Sequence, residues 1–203
     1  EREALRSAVE AARSGARVCV LRNTVKGARA AVATIKEIGG EALLWHPQGG
    51  PFTPAYHSRY TGPDREALDL AVLADFGPDS PSKGTILVAT QVAEQSLDVD
   101  FDYMVTDLCP IDVLLQRIGR LHRHRRQRPP RFESARLAVI APEKPLIEYV
   151  RGESMHGPHG WGPVYWDAGD LELTLRLIRD PAFGTISIPR QNRELIERVY
   201  HPA

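Results

Sequence analysis

The chain has 203 residues, of which 42% are hydrophobic and 26% charged, and this composition favours a globular domain with a sizeable core over a disordered chain. Its 26 basic residues equal its 26 acidic residues, so affinity for a polyanion such as DNA must come from local clustering of charge. Cys19 and Cys109 lie in apolar segments without CxxC spacing, which argues against a disulfide framework and favours a reducing, cytoplasmic setting. No apolar run reaches the roughly 18 residues that span a bilayer, so we expect no membrane partner.

The first part of the chain alternates between helical and strand-like patterns. It starts without methionine and inside a helical pattern, so we expect a piece of a longer protein. Thr24 is placed to cap the second helix. The predicted elements are, in order, a helix at 1–14, a strand at 16–23, a helix at 25–39, a strand at 41–46 (EALLWH) and a loop at 46–60.

The middle of the chain continues this alternation. The predicted elements are a helix at 64–77, strands at 84–91 and 102–108, a helix at 111–124 and a strand at 135–142. Strands separated by helices predict the α/β class, with a doubly wound, mainly parallel sheet that has helices on both faces.

The composition of the sequence changes after Pro142. A stretch rich in glycine, proline and aromatic residues is followed by helical patterns at 171–180 and 190–200. We therefore predict one α/β domain at 1–142, and a connector with a C-terminal helical appendage at 143–203.

Polar segments follow the predicted strands at 22–24, 57–60 and 90–98. Ligands of parallel α/β sheets bind beyond the carboxyl ends of the strands, so these segments are expected to meet at one rim. The helix at 111–124 begins at the same edge. It leads into QRIGRLHRHRR (116–126), which holds five arginines and two histidines.

These segments carry a resemblance to a known family. ATQVAEQSLDVDFD followed by QRIGRLHRH resembles motifs V and VI of superfamily 2 helicases, in the variant of the CRISPR-associated helicase-nuclease of type I interference systems. RNTVKGA and HSRYTGPDRE are similar to motifs IV and IVa, and TISIPRQNRELIERVY extends the likeness. The family has Gly in many members where this chain has Ser96 and His122, which matches the CRISPR-associated variant.

The resemblance implies a RecA-like fold and a division of labour between two lobes. Such helicases hydrolyse ATP between them, and the first lobe supplies the phosphate loop and the metal-binding acids. This sequence has no GxxxxGK[ST] and no Asp-Glu dipeptide. It therefore resembles the second RecA-like lobe alone, with the Mg²⁺ held mainly by the absent first lobe. The family's HD nuclease would also lie upstream.

The resemblance assigns roles at the nucleotide. Arg120 and Arg123 are the expected catalytic arginine fingers, and their i, i+3 spacing predicts that both lie on one helix face. Acidic residues are missing from 116–131, which leaves these arginines without local partners. The expected nucleotide-binding residues are Gln116, Arg117, Gly119 and Asp98, although Asp98 is also placed to cap a loop.

The resemblance also assigns contacts to single-stranded DNA. The expected DNA-binding residues are Thr90, Arg59, Asn23, Thr24 and Ser58. Two interpretations stay open for the arginines that follow motif VI, namely a solvated or DNA-facing tail and a role at ATP: Arg125, Arg126, Arg128 and Arg131. Trp45, Trp161 and Trp166 are expected to pack in the core or between lobes rather than to stack on bases. No metal site is expected at His156 and His159, because no carboxylate lies at ligand spacing.

Together these features predict the C-terminal lobe of an ATP-dependent 3′-to-5′ DNA translocase in type I CRISPR interference. Its expected partners are the first RecA-like lobe, single-stranded DNA and an RNA-guided CRISPR surveillance complex. Three alternatives stay open: a lobe of another superfamily 2 DNA or RNA helicase, a non-enzymatic basic module that binds nucleic acid, and a small-molecule Rossmann-type enzyme. The missing GxGxxG argues against the last.

Overall fold

The chain folds around a five-stranded, fully parallel sheet. The structure is a computed structural model that describes residues 1–47, 54–81, 83–94, 97–150, 159–161 and 163–201. The strands are β1 (Arg17–Leu21), β2 (Ala55–Tyr56), β3 (Thr85–Ala89), β4 (Tyr103–Asp107) and β5 (Arg136–Ile140). They lie in the order β2-β3-β1-β4-β5, with every neighbouring pair parallel.

Helices cover both faces of this sheet, because the central strands are apolar on both sides. The helices are α1 (Arg2–Arg13), α2 (Val25–Glu37), α3 (Gly62–Phe76) and α4 (Ile111–Ile118). Val18 and Val20 of β1 pack in one core cluster with α1 and α2, whereas Cys19 and Leu21 pack in a second cluster with α3. This alternation confirms the doubly wound, RecA-like fold class.

The C-terminal part is helical, with α5 (Leu146–Val150), α6 (Ala168–Arg179) and α7 (Asn192–Tyr200). It packs on the sheet domain rather than apart from it. Leu177, Leu195 and Val199 share a core cluster with Ile111 and Leu114 of α4. The predicted boundary at residue 142 stays a prediction, and the region from 143 onward shares a core with the lobe.

Two predicted helix starts agree with the structure. Thr24 caps α2 by accepting a hydrogen bond from the Gly27 backbone N–H (2.9 Å). Pro63 lies in the first turn of α3, where its missing N–H leaves no helical acceptor unpaired.

The predicted strand at 41–46 is wrong. Glu41–Leu43 form a single 3₁₀ turn, and only Leu44 makes an isolated bridge to Ile86. The apolar run arises because Leu44 and Trp45 are buried, and periodicity alone does not separate such a run from a strand. The strand next to β3 is β2, which lies inside the predicted loop at 46–60.

The predicted helix at 111–124 is too long by one and a half turns, because α4 ends at Ile118. Beyond Gly119 the chain pairs with Phe101 instead. The Phe101 N–H donates to the Arg120 carbonyl (3.0 Å), and the His122 N–H donates to the Phe101 carbonyl (3.1 Å). His122 has a φ of 49°, in the left-handed region that favours glycine, which accounts for the family's Gly at this position.

Candidate functional site

The polar segments predicted to follow β1, β3 and β4 meet at the carboxyl rim of the sheet. Gln91, after β3, donates through Nε2 to the Asn23 carbonyl after β1 (2.7 Å). Asn23 in turn donates through Nδ2 to the Leu108 carbonyl after β4 (2.9 Å). Three loops that are far apart in sequence are therefore joined by side-chain hydrogen bonds, as the parallel topology predicts.

Arg120 and Arg123 contact the loop that follows β3. Arg120 Nη2 donates to the Glu94 carbonyl (2.6 Å), and Arg123 Nε donates to Asp98 Oδ1 (2.5 Å). The prediction that both lie on one helix face is wrong, because α4 ends at Ile118 and the chain at Arg120 pairs with Phe101. Both arginines instead contact motif V, Arg120 at Glu94 and Arg123 at Asp98.

Arg117 is fully buried rather than placed at the rim surface. Its guanidinium donates to Glu94 Oε1 (2.8 Å), Thr106 Oγ1 (2.6 Å) and Asn23 Oδ1 (2.9 Å). Burial raises the pKa of the Glu94 carboxyl, and Arg117 opposes that rise. The contact with a nucleotide predicted for Arg117 is therefore not available to its guanidinium as it lies here. It stabilises the loops that carry the rim.

Asn23, predicted as a DNA contact, is also buried. Its side chain is held by Arg117, the Leu108 carbonyl and the His159 carbonyl, the last at 2.7 Å from Nδ2. Its neighbour Arg22 is fully buried and pairs with Asp107 Oδ2 (2.9 Å). In this arrangement the Asn23 amide belongs to the internal network, and it does not offer its polar atoms to a phosphate.

The other residues predicted to contact DNA differ in exposure. Ser58 and Arg59 are exposed, whereas Thr90 is buried and its backbone N–H donates to the Tyr56 carbonyl (2.9 Å). Thr24 is half-buried and is occupied at its hydroxyl by the helix cap. Next to Ser58, the buried His57 stacks on Tyr60 with ring centroids 4.6 Å apart. Ser58 and Arg59 are thus the predicted DNA contacts with free access to solvent.

The remaining predicted nucleotide residues lie near the two arginines. Gln116 is exposed on α4, and Gly119 caps the end of that helix with an ordinary φ of −61°. Asp98 has about half of its side chain exposed and pairs with Arg123 and His124. The hydrogen bond from Arg123 holds the pKa of the Asp98 carboxyl below its usual value. Ser96, which replaces a family glycine, lies outside the described residues.

Arg126 and Arg128 form a separate ion cluster with Asp100 and Asp102. Arg126 binds Asp100 Oδ2 (2.6 Å) and Asp102 Oδ1 (2.7 Å), and Arg128 binds the same two carboxylates (3.0 and 2.7 Å). Both carboxylates are fully buried. Their interpretation as a solvated tail is therefore wrong, because both side chains are mostly buried in ion pairs, whereas a DNA-facing role and a role at ATP stay predictions. Arg125 and Arg131 are exposed, so for them both interpretations stay open.

The acidic partners follow a regular offset that sequence reasoning missed. The hydrogen-bonded pairs Glu94–Arg117, Asp98–Arg123 and Asp100–Arg126 are separated by 23, 25 and 26 residues. The two segments thus run side by side in the same direction. The signal lies in the sequence LDVDFD, where acids at every second position precede the arginine run. The range 116–131 holds no acid because the acidic partners lie at 94–102.

The three tryptophans behave differently. Trp45 is buried and donates through Nε1 to Asp75 Oδ2 (2.7 Å), and Trp161 is buried with its ring stacked on His159 (4.4 Å). These two confirm the expectation of core packing. Trp166 is 80% exposed and so is not a core residue.

Neither a metal-binding cluster nor a membrane-spanning helix is found among the described residues. No group of three or more His, Cys, Asp or Glu side chains in the described ranges is arranged to hold a metal ion. His156 lies outside these ranges. Among the helices of the described part, none has the length and apolar character needed to cross a bilayer.

Residues 14–126 match the family described as "CRISPR-associated nuclease/helicase Cas3, C-terminal", which is more than half of the chain. The chain belongs to the Cas3 family. The Cas3 endonuclease/helicase of Escherichia coli is 40% identical over 197 residues, which are 96% of this chain and 20% of that protein. The Cas3 endonuclease/helicase of Thermus thermophilus is 42% identical over 169 residues, 82% of this chain and 17% of that protein. The chain thus spans about a fifth of the length of these Cas3 relatives.

Solved Cas3 structures share the fold. The crystal structure of T. fusca Cas3-ATP has a TM-score of 0.80 at 27% identity, covering 99% of this chain and 22% of that one. A CRISPR RNA-guided surveillance complex in a pre-nicking state contains a chain with a TM-score of 0.70 at 28% identity, covering 90% of this chain and 21% of that one. The family resemblance inferred from motifs IV to VI is therefore confirmed.

Proposed function

We propose that this chain is the second RecA-like lobe of an ATP-dependent 3′-to-5′ single-stranded DNA translocase of type I CRISPR interference. In the complete protein it faces the first RecA-like lobe, and ATP binds between them. The chain supplies arginine fingers and DNA contacts and is incomplete for ATP hydrolysis alone. The foreign DNA is delivered by an RNA-guided surveillance complex, a partnership supported by the pre-nicking complex among its structural neighbours.

The observation that carries this proposal is the contact of the motif VI arginines with Glu94 and Asp98 of motif V, between the carboxyl end of β3 and the amino end of β4. Arg120 Nη2 is held by a neutral carbonyl, that of Glu94, and the buried Arg120 Nε has no hydrogen-bond partner among the described residues. A buried donor without an acceptor is costly, so the Arg120 guanidinium is not fully satisfied by the described residues. The site therefore fits an anionic ligand at Arg120.

Arg120 and Arg123 are proposed to act on the γ-phosphate. Negative charge spreads over its oxygens during transfer, and a guanidinium from a facing lobe stabilises that charge. Burial and the neighbouring Arg123 lower the pKa of the Arg120 guanidinium below its usual value. Repulsion between the two cations favours an anion that lies between them. Gln116, Gly119 and Asp98 complete the proposed nucleotide side.

DNA is proposed to contact the part of the rim next to β2. The exposed Arg59 supplies positive charge to a backbone phosphate and Ser58 supplies a hydroxyl. Thr24 precedes α2, whose amino end favours a phosphate, and Thr90 is proposed as a contact from its place in motif V. The Mg²⁺ of the reaction is assigned mainly to the first lobe, because the described residues of this chain hold no cluster of acids of the kind that binds it.

The test is ATP turnover in the presence of single-stranded DNA, for residues 1–203 alone and within the full-length Cas3 protein. We expect turnover only in the full-length protein, because the phosphate loop is missing from the chain. Robust hydrolysis by residues 1–203 would overturn the proposal. A charge reversal, Arg120→Glu, that weakens DNA binding but leaves turnover per bound enzyme unchanged would favour a non-enzymatic binding module.

A further inference from the structure

Tyr165 connects the C-terminal region to the helicase motifs. It lies outside motifs IV to VI, and its hydroxyl is 3.2 Å from Arg117 Nη2. The phenol is half-buried, and burial raises the pKa of Tyr165, so the hydroxyl is protonated at neutral pH. Its oxygen therefore accepts a hydrogen bond from the guanidinium and keeps its own proton.

Arg117 in turn contacts Glu94 of motif V. Its Nη2, which donates to Tyr165, also lies 2.7 Å from Glu94 Oε1, and its Nε donates to the same oxygen (2.8 Å). The Arg117 side chain is fully buried, and that of Glu94 is nearly so. With almost no water to replace a lost partner, the position of Arg117 depends on its protein acceptors, which also include Asn23 Oδ1, Thr106 Oγ1 and the Asp107 carbonyl.

Glu94 and Arg117 together hold Arg120 at both ends. The Glu94 carbonyl accepts from the Arg120 side chain (2.6 Å), and the Arg117 carbonyl accepts from the Arg120 backbone N–H (2.9 Å). Tyr165, Arg117, Glu94 and Arg120 thus form a continuous chain of short contacts. A shift of Arg117 moves both groups that position the guanidinium of Arg120.

We propose that Tyr165 is a positioning residue for ATP hydrolysis, which acts through Arg117 and Glu94 on the orientation of Arg120. This inference rests on the proposed role of Arg120 as an arginine finger. It gives the region beyond residue 142 a part in catalysis, since that region supplies an acceptor that fixes the buried half of motif VI.

The test is Tyr165→Phe in the full-length Cas3 protein, which removes the hydroxyl and keeps the ring. We expect kcat for ATP to fall about tenfold, less than the roughly 100-fold that a 1 Å misplacement can cost, with KM for ATP and Kd for single-stranded DNA unchanged. The matched control is Tyr200→Phe. This variant also removes a hydroxyl that forms a hydrogen bond with α4. The partner of the Tyr200 hydroxyl is Asp112 (2.8 Å), whereas that of Tyr165 is Arg117.

A general loss of packing predicts equal changes in the two variants, so equal kcat values would overturn the proposal. A second measurement places Tyr165→Phe in an Arg120→Lys background. If Tyr165 acts through Arg120, adding Tyr165→Phe to Arg120→Lys lowers kcat no further. A double variant whose loss of kcat is the product of the two single losses would contradict the proposal. Full turnover by Arg120→Ala would refute the proposed function itself. Loss of turnover in Arg120→Ala beside an unaffected Tyr165→Phe would refute this inference alone.

Discussion

Arg120 lies in a different electrostatic environment from Arg126 and Arg128. Arg126 and Arg128 are each bound to two fully buried carboxylates, near the amino ends of the strands. Arg120 is bound to the Glu94 carbonyl and keeps a buried N–H without a partner among the described residues. Neighbouring arginines therefore differ, because Arg126 and Arg128 are neutralised by carboxylates within the fold whereas Arg120 is held by a neutral carbonyl.

The largest effect is expected at Arg120. Arg120→Ala in the full-length protein should lower ATP turnover by about 10³-fold or more, since arginine fingers contribute roughly 10³ to 10⁵ to the rate. Its free energy of unfolding should fall by no more than about 1.5 kcal/mol, the value of one hydrogen bond. DNA-stimulated ATPase assays measure the first quantity. Arg176→Ala, at an exposed arginine of α6 that contacts only Glu172 among the ion pairs of the described residues, is the control and should keep full turnover.

The second effect belongs to the buried cluster. Arg128→Ala leaves Asp100 and Asp102 buried with one fewer cation, so we expect residues 1–203 to lose about 3–5 kcal/mol of unfolding free energy. Urea denaturation measures the loss, with Arg125→Ala as the comparison at less than about 0.5 kcal/mol. A loss of unfolding free energy as small as that of the control would mean that Arg128 is not needed to neutralise the buried carboxylates.

A third prediction concerns acid. Burial raises the pKa of Asp100, but hydrogen bonds from Arg128 and Arg126 outweigh it and hold that pKa below the ordinary 3.8. A carboxyl whose folded-state pKa is depressed stabilises the fold above its unfolded value, and this stability is lost as pH falls through the folded pKa. Unfolding free energy should therefore decline below about pH 4, more gently in Arg128→Ala, as urea titrations at several pH values will measure. Identical slopes would contradict the assignment.

The smallest effect on stability is expected at the pair Arg123–Asp98. Both side chains are more than 40% exposed, so Asp98→Asn should change the unfolding free energy by less than about 1 kcal/mol, and less at high salt. A change as large as that of Arg128→Ala would show that this pair is structural. The same denaturation series at low and high salt measures it.

Much of the fold was predictable from sequence because burial and periodicity agree there. β1, β3 and β4 are apolar on both faces and the helices α1 to α3 follow helical spacing, so each local pattern has one solution. The end of α4 was not predictable. His122 and its neighbours keep helical spacing, and only the competing pairing with Phe101 stops the helix.

The site divides in the same way. Motif order correctly brought Arg120 and Arg123 next to motif V, where they contact Glu94 and Asp98. Burial of a polar side chain cannot be read from these motifs. Asn23 was therefore predicted to contact DNA and Arg117 to contact the nucleotide, although both side chains are buried. The Tyr165 contact had no signal at all, since it joins residues 48 positions apart through no shared motif.

The regular offset between acids and arginines has a consequence for protein engineering. Grafting QRIGRLHRHRR alone into another scaffold would carry five cations and leave behind the carboxylates that neutralise part of them. In such a graft, arginines would pack against the new scaffold without the carboxylates that neutralise their charge. The portable unit is the whole segment from Glu94 to Arg128, in which the arginines and their partners move together.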